Sequence, residues 1–134
     1  MTPALAERLS LASREEIVIA RQAVRRHAVA LAFSLVDQTK VVTAASELAR
    51  NVVQHAGGGH MTIEIVGDGA RQGLRLTFED QGPGIRDIER VLRGGYSTGG
   101  GLGLGLSGSK RLSNEFAIES RVGQGTKVVI TRWR

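Results

Sequence analysis

The sequence contains no cysteine. That excludes a disulfide framework and any thiolate metal site. Aromatic residues make up only 4% of its 134 residues, so the stacking platforms that grip single-stranded nucleic acid are missing. Long hydrophobic runs are missing too. The longest nearly apolar stretch, Ala28 to Val36, falls far short of the roughly 20 residues that span a bilayer. Met1 to Ala12 carries Glu7 and Arg8 where a secretory signal needs an apolar segment. These absences lead us to expect a cytoplasmic protein with no membrane span. The length fits one domain over residues 1–134, and a hydrophobic fraction of 41% is enough for a single core.

The formal charge of +5 allows a nucleic-acid partner. Against that, the arginines are scattered, and only Arg21, Arg25 and Arg26 form a compact patch. With so few aromatics, nucleic acid is not expected. The patch is a solvated helix face or a docking face for an acidic protein.

What the chain does have is a pair of polar residues inside an apolar helical pattern. Val41, Ala45, Leu48, Val52 and Val53 repeat with helical period. Glu47 and Asn51 sit among them, four residues apart, and so share one helix face. A carboxylate on or beside a buried face needs a reason. Two glycine-rich stretches further on supply one: Asp80-Gln81-Gly82-Pro83-Gly84 and Gly101-Leu102-Gly103-Leu104-Gly105-Leu106.

Around these pieces the chain reads as follows. Leu9 to Ala12 predicts a short edge strand. Ser13-Arg14-Glu15-Glu16 is a capping-box pattern that opens a helix. Ile17, Ala20, Val24, Ala28, Leu31 and Leu35 continue that helix at spacings of three and four. Asp37 can cap the next helix, which carries Glu47 and Asn51 to about His55 and stops at Gly57-Gly58-Gly59. From His60 the period changes to two. Met61, Ile63 and Ile65 predict one strand and Leu74, Leu76 and Phe78 its hairpin partner, which delivers Asp80 at its end. Asp87 to Leu92 predicts a short helix. A second helix begins within the glycine repeat and includes Lys110 and Leu112. Phe116, Ile118 and Val122 alternate, and Lys127 to Arg132 makes the last strand. Helices early and hairpins late predict an α+β, two-layer sandwich, with a mixed, mostly antiparallel sheet and helices on one face.

Gly103-Leu104-Gly105-Leu106-Ser107-Gly108 matches the dinucleotide fingerprint. That motif must follow a strand, and here it follows a glycine-rich loop; too little chain remains for a doubly wound sheet. Gly108-Ser109-Lys110 also has the wrong order for a Walker loop. The remaining chemistry is that of glycines at a helix start, where backbone N–H groups can approach a phosphate. The bland alternative is a flexible loop with a glycine cap. Asp80-Gln81-Gly82-Pro83-Gly84 is either an ordinary turn or a base pocket whose carboxylate accepts from an exocyclic amine.

Four motifs in order now stand together: Glu47-x-x-x-Asn51, Asp80-x-Gly82-x-Gly84, Gly101-x-Gly103-x-Gly105, and Gly125-Thr126. This order resembles the GHKL (Bergerat-fold) ATP-binding family of gyrase, histidine kinases and MutL. Gly94-Gly95-Tyr96-Ser97-Thr98 and Lys110-Arg111-Leu112 bring it nearest to the compact anti-sigma serine/threonine kinases. The resemblance covers about residues 8 to 132. It implies an ATP-dependent kinase using ATP and Mg²⁺. Asn51 would hold Mg²⁺. Asp80 would read the adenine amine, helped by Gly82, Gly84 and Thr126. Gly101, Gly103, Leu104 and Gly105 would wrap the phosphates, with Ser97 and Thr98 in a lid over Tyr96 to Gly100. Glu47 would be the general base toward a Ser or Thr hydroxyl. His55 lies one turn beyond Asn51 and is read as a capping or packing residue. The partners implied are a STAS-domain antagonist as substrate, and a second regulatory protein such as a phosphatase activator or a sigma factor. Two other readings stay open. One is an anti-sigma factor that sequesters a sigma factor without chemistry. The other is an ATP-binding adaptor that transfers nothing, which an intact Glu47 argues against.

Overall fold

The computed structural model describes residues 3–93 and 102–134, with side chains from Gly105 onward in the second segment. In chain order the elements are β1 (Ala4–Leu11), α1 (Arg14–Ala30), α2 (Leu35–Ala56), β2 (Gly59–Gly67), β3 (Gln72–Asp80), α3 (Ile88–Leu92), α4 (Leu102–Arg111), β4 (Glu115–Arg121) and β5 (Gly125–Trp133). The strands form one five-stranded sheet in the order β1-β2-β3-β5-β4. Every pairing among the described residues is antiparallel. β2 and β3 are the expected hairpin, and their register places Asp80 opposite Gly59.

The alternation in each strand decides which face is covered. Met61 and Ile63 of β2, Leu74, Leu76 and Phe78 of β3, and Val128 and Ile130 of β5 are buried. They meet the buried stripe of α2, which runs through Val41, Ala45, Leu48 and Val52. The α2 helix contacts four of the strands, α4 packs on α2, and α3 packs on α4. The result is the two-layer sandwich that the sequence predicts.

The helix boundaries differ from the sequence reading at Leu112, which falls just beyond α4, and in two further places that have a clear cause. The apolar spacing through Leu31 and Leu35 suggests one continuous helix, yet α1 stops at Ala30. Phe33 N–H bonds to Ala28 O at 3.0 Å and Ala32 N–H to Val29 O at 2.9 Å. This is the Schellman pattern, with Ala32 at φ 61 in the left-handed position that glycine normally fills. Phe33 explains the break: it is 4% exposed, and turning there takes its ring into the core. The second difference is the cap of α2. Ser34 Oγ accepts from Asp37 N–H at 3.1 Å, so Ser34 is the cap and Asp37 lies in the first turn. Asp37 instead accepts from Arg132 Nη2 at 2.6 Å, and the same guanidinium donates to Leu112 O at 3.2 Å. One arginine therefore joins the start of α2, the chain after α4, and β5.

The arginine patch is also divided. Arg26 pairs with Glu7 of β1, while Arg25 reaches toward Gln38 at 3.5 Å. All three arginines are exposed, but Arg26 is engaged by Glu7. No helix among the described residues is long and apolar enough to cross a membrane.

Two outcomes test this account. Ala32→Gly should raise stability by up to about 1 kcal/mol, because it removes the left-handed cost of a Cβ; urea unfolding of the pair measures it. The second concerns acid. The bond from Arg132, with smaller help from Ser34, holds the Asp37 carboxyl below its ordinary value of 3.8. A lowered folded-state pKa stabilises above the unfolded value, and that contribution is lost as pH falls through the folded value. Arg132→Met should therefore flatten the loss of stability below about pH 4, measured as the midpoint of thermal unfolding against pH.

Candidate nucleotide site

Glu47 and Asn51 border the buried stripe of α2 without belonging to it. The Glu47 side chain is 35% exposed, so it is reachable from solvent. Asn51 is more enclosed, and its Nδ2 is buried without a protein partner among the described residues. The backbone of α4 lies directly against the pair. A Cβ on Gly105 would sit 3.1 Å from Asn51 Nδ2, 3.3 Å from Asn51 Oδ1 and 3.5 Å from Glu47 Oε2. Only a residue without a side chain allows that approach without pushing the amide aside. Ser109 fixes the arrangement: its Oγ donates to Gly105 O at 2.7 Å and lies 3.4 Å from Ala44 O of α2.

From Asn51 a narrow cleft runs between α2 and the sheet. Leu48, Val52, Phe78, Ile85, Leu106 and Val128 make its walls apolar. Four polar side chains enter it, those of Asn51, His55, Asp80 and Thr126. An apolar slot with a few convergent polar groups is the form that binds a planar heterocycle.

Asp80 anchors the far end. Its Oδ1 accepts from Gly82 N–H at 3.0 Å and from Thr126 N–H at 3.2 Å. Both bonds fall on Oδ1, which leaves Oδ2 as the acceptor for a ligand amine. Gly84 has φ 77, and a Cβ there would run into the carbonyl of Arg121. This loop thus lies flat on the β4–β5 turn, as a glycine loop can and a substituted one cannot. Ser120 ties the pieces together. Its Oγ accepts from Ile85 N–H at 2.8 Å and lies 2.8 Å from Thr126 Oγ1.

The structure thus brings Glu47, Asn51, Asp80, Gly82, Gly84, Gly105 and Thr126 around one cleft. Gly103 and Leu104 lie in the first turn of α4, with only their backbone described. Ser97, Thr98, Gly101 and the rest of the lid from Tyr96 to Gly100 lie outside the described residues. Lys110 is exposed on α4. His55 occupies the cleft wall with Nε2 buried and unpartnered among the described residues. Sequence reasoning missed Ser120, although a signal existed: Phe116, Ile118 and Ser120 alternate, so Ser120 is a polar residue in the inward register of β4. It also missed the ion pair between Arg50 and Glu47, with Nη1 at 3.1 Å from Oε1.

The donor set suits a magnesium ion bound alongside phosphates. Asn51 offers a hard amide oxygen in an enclosed position, and Mg²⁺ typically takes one or two protein oxygens, with phosphates and water completing its shell. No group of three or more His, Asp or Glu that could hold a metal on protein ligands alone occurs among the described residues. A site of this kind depends on the nucleotide for its other ligands.

Comparison with known proteins agrees with this geometry. The family model described as "Histidine kinase-, DNA gyrase B-, and HSP90-like ATPase" matches residues 36–133. Serine/threonine-protein kinase RsbT of Bacillus subtilis (strain 168) is 50% identical over 118 residues, which is 88% of this chain and 89% of that protein. Among solved structures, the RsbU and RsbW domains of Rv1364c from Mycobacterium tuberculosis share the fold with a TM-score of 0.64 at 21% identity, covering 96% of this chain and 33% of that one. The SiaB-SiaC complex from Pseudomonas aeruginosa matches with a TM-score of 0.60 at 14% identity, covering 97% of this chain and 91% of that one. The chain belongs to the histidine kinase-, DNA gyrase B- and HSP90-like ATPase family, on its serine/threonine-kinase branch.

Proposed function

We propose that this chain transfers the γ-phosphoryl group of ATP to a Ser or Thr hydroxyl of a STAS-domain antagonist, as a cytoplasmic switch in a partner-switching pathway. The observation that carries this reading is the placement of Glu47 and Asn51 together under Gly105, at one end of an apolar cleft whose other end presents Asp80 Oδ2. After transfer, release from the antagonist frees the chain for a second regulatory protein, such as a phosphatase activator or a sigma factor. The output is sigma-factor control or a stress response.

The residues divide the work. Asp80 accepts from the adenine amine, and the two backbone bonds on Oδ1 keep it from rotating away. Thr126 and Gly84 form the ring's other contacts. Asn51 Oδ1 holds Mg²⁺, which when bound neutralises phosphate charge. Gly105, with Gly101, Gly103, Leu104, Ser97 and Thr98 assigned by their place before and within α4, surrounds the phosphates. Glu47 takes the proton of the acceptor hydroxyl as its oxygen bonds to the γ-phosphorus and the bond to ADP breaks. Phosphoryl transfer needs positioning and charge neutralisation more than covalent help, and that is what these groups supply.

The first test is phosphate transfer from Mg·ATP to a co-encoded STAS-domain protein. Glu47→Ala should reduce transfer by roughly 10²- to 10⁴-fold, the range for losing a general base, while ATP affinity stays unchanged. Asp80→Asn keeps an acceptor for Gly82 and Thr126 but turns a donor toward the amine. It should weaken ATP by about tenfold or more, read by calorimetry. ATP binding and a stable complex without any transfer would leave sequestration or an adaptor role instead. Ser120→Ala leaves Ile85 N–H without its acceptor. It should raise the Kd for ATP severalfold with little change in kcat at saturation, since it acts only through the base pocket.

A further inference from the structure

Arg50 precedes Asn51 on α2, and its guanidinium turns back onto Glu47. Nη1 lies 3.1 Å from Oε1 and 3.3 Å from Oε2. Glu47 is thus enclosed by Gly105 and Asn51 on one side and engaged by Arg50, the more exposed partner at 46%. A general base must offer a lone pair within hydrogen-bond reach of the hydroxyl that it deprotonates. Here one guanidinium nitrogen faces both oxygens. Water is the commonest hydroxyl at a half-exposed site, and a free carboxylate beside bound ATP would promote hydrolysis as readily as transfer.

We propose that Arg50 is a positioning residue that keeps Glu47 from activating water until a protein substrate arrives. The inference rests on the kinase reading above. The substrate it implies carries a carboxylate near its acceptor Ser or Thr. That carboxylate takes over the guanidinium, and Glu47 is released beside the incoming hydroxyl. The hold is suited to exchange, because a half-exposed ion pair is weak and open to competition from another anion. Arg50 presents a donor fork that a second carboxylate can engage in the same way.

The experiment is ATP hydrolysis without any protein partner. In that reaction a water oxygen bonds to the γ-phosphorus as the bond to ADP breaks, Glu47 takes the water proton, and phosphate and ADP leave. Arg50→Gln should raise this rate severalfold with ATP affinity unchanged. Arg50→Lys should stay near the wild-type rate, because an ammonium can still occupy the carboxylate. Adding Glu47→Gln to Arg50→Gln should abolish the gain. In transfer assays, Arg50→Gln should raise KM for the protein substrate and leave kcat near wild type. Hydrolysis at or below the wild-type rate in an Arg50→Gln protein that binds ATP normally would overturn the proposal, as would a gain that survives Glu47→Gln. If the wild type binds ATP but transfers phosphate to no STAS-domain protein, the kinase reading itself fails and this inference falls with it. Intact transfer with no hydrolytic gain overturns the role of Arg50 alone.

Discussion

One carboxylate oxygen, Asp80 Oδ1, holds together the end of the cleft where three stretches of chain meet. It joins the end of β3, the turn at Gly82 and the start of β5 through two backbone N–H donors. Ser120 then links the same turn to Thr126 from the β4 side. Asp80 and Gly82 are close in sequence, whereas Thr126 comes from far along the chain and pairs with Asp80 in the β3–β5 ladder. A side chain that satisfies their N–H groups fixes the loop and orients its own second oxygen at once. The orientation of Oδ2 is therefore a by-product of loop closure, so a change at Asp80 acts on the shape of this end of the cleft.

At the other end of the cleft the controlling quantity is distance between backbones. The α4 helix approaches α2 until Gly105 rests on the Asn51 amide. Ser109 holds that approach by bonding within α4 and facing the Ala44 carbonyl. Close-packed interiors transmit small displacements, so a shift of α4 moves Asn51 and Glu47 together. The backbone of α4 and the polar pair on α2 are in this way mechanically coupled.

Most of this site was legible because its signals are local. The spacing of Glu47 and Asn51, the strand that ends at Asp80, and the glycine clusters need only helical and strand periods to interpret. What escaped was set by tertiary context. The break at Ala32 has no glycine or proline to announce it; burial of Phe33 decides it. Ser34 and Asp37 are both good caps, and only the demand of Arg132 for a carboxylate assigns them. Arg26 belongs to a patch in the sequence, but Glu7, distant in sequence, claims it. The pairing of Arg50 with Glu47 follows an ordinary three-residue spacing, too common on helices to signal anything alone.

The outermost strand β1 carries an irregularity between Leu5 and Glu7, where its register to β2 shifts. Glu7 then points toward α1, where His27 and Arg26 bind its carboxylate, and those bonds, His27 first, hold its pKa below the ordinary value. A kinked border strand with an ionised, inward-facing carboxylate is a poor template for another chain to extend the sheet. Such a border disfavours indiscriminate sheet-to-sheet association with other chains.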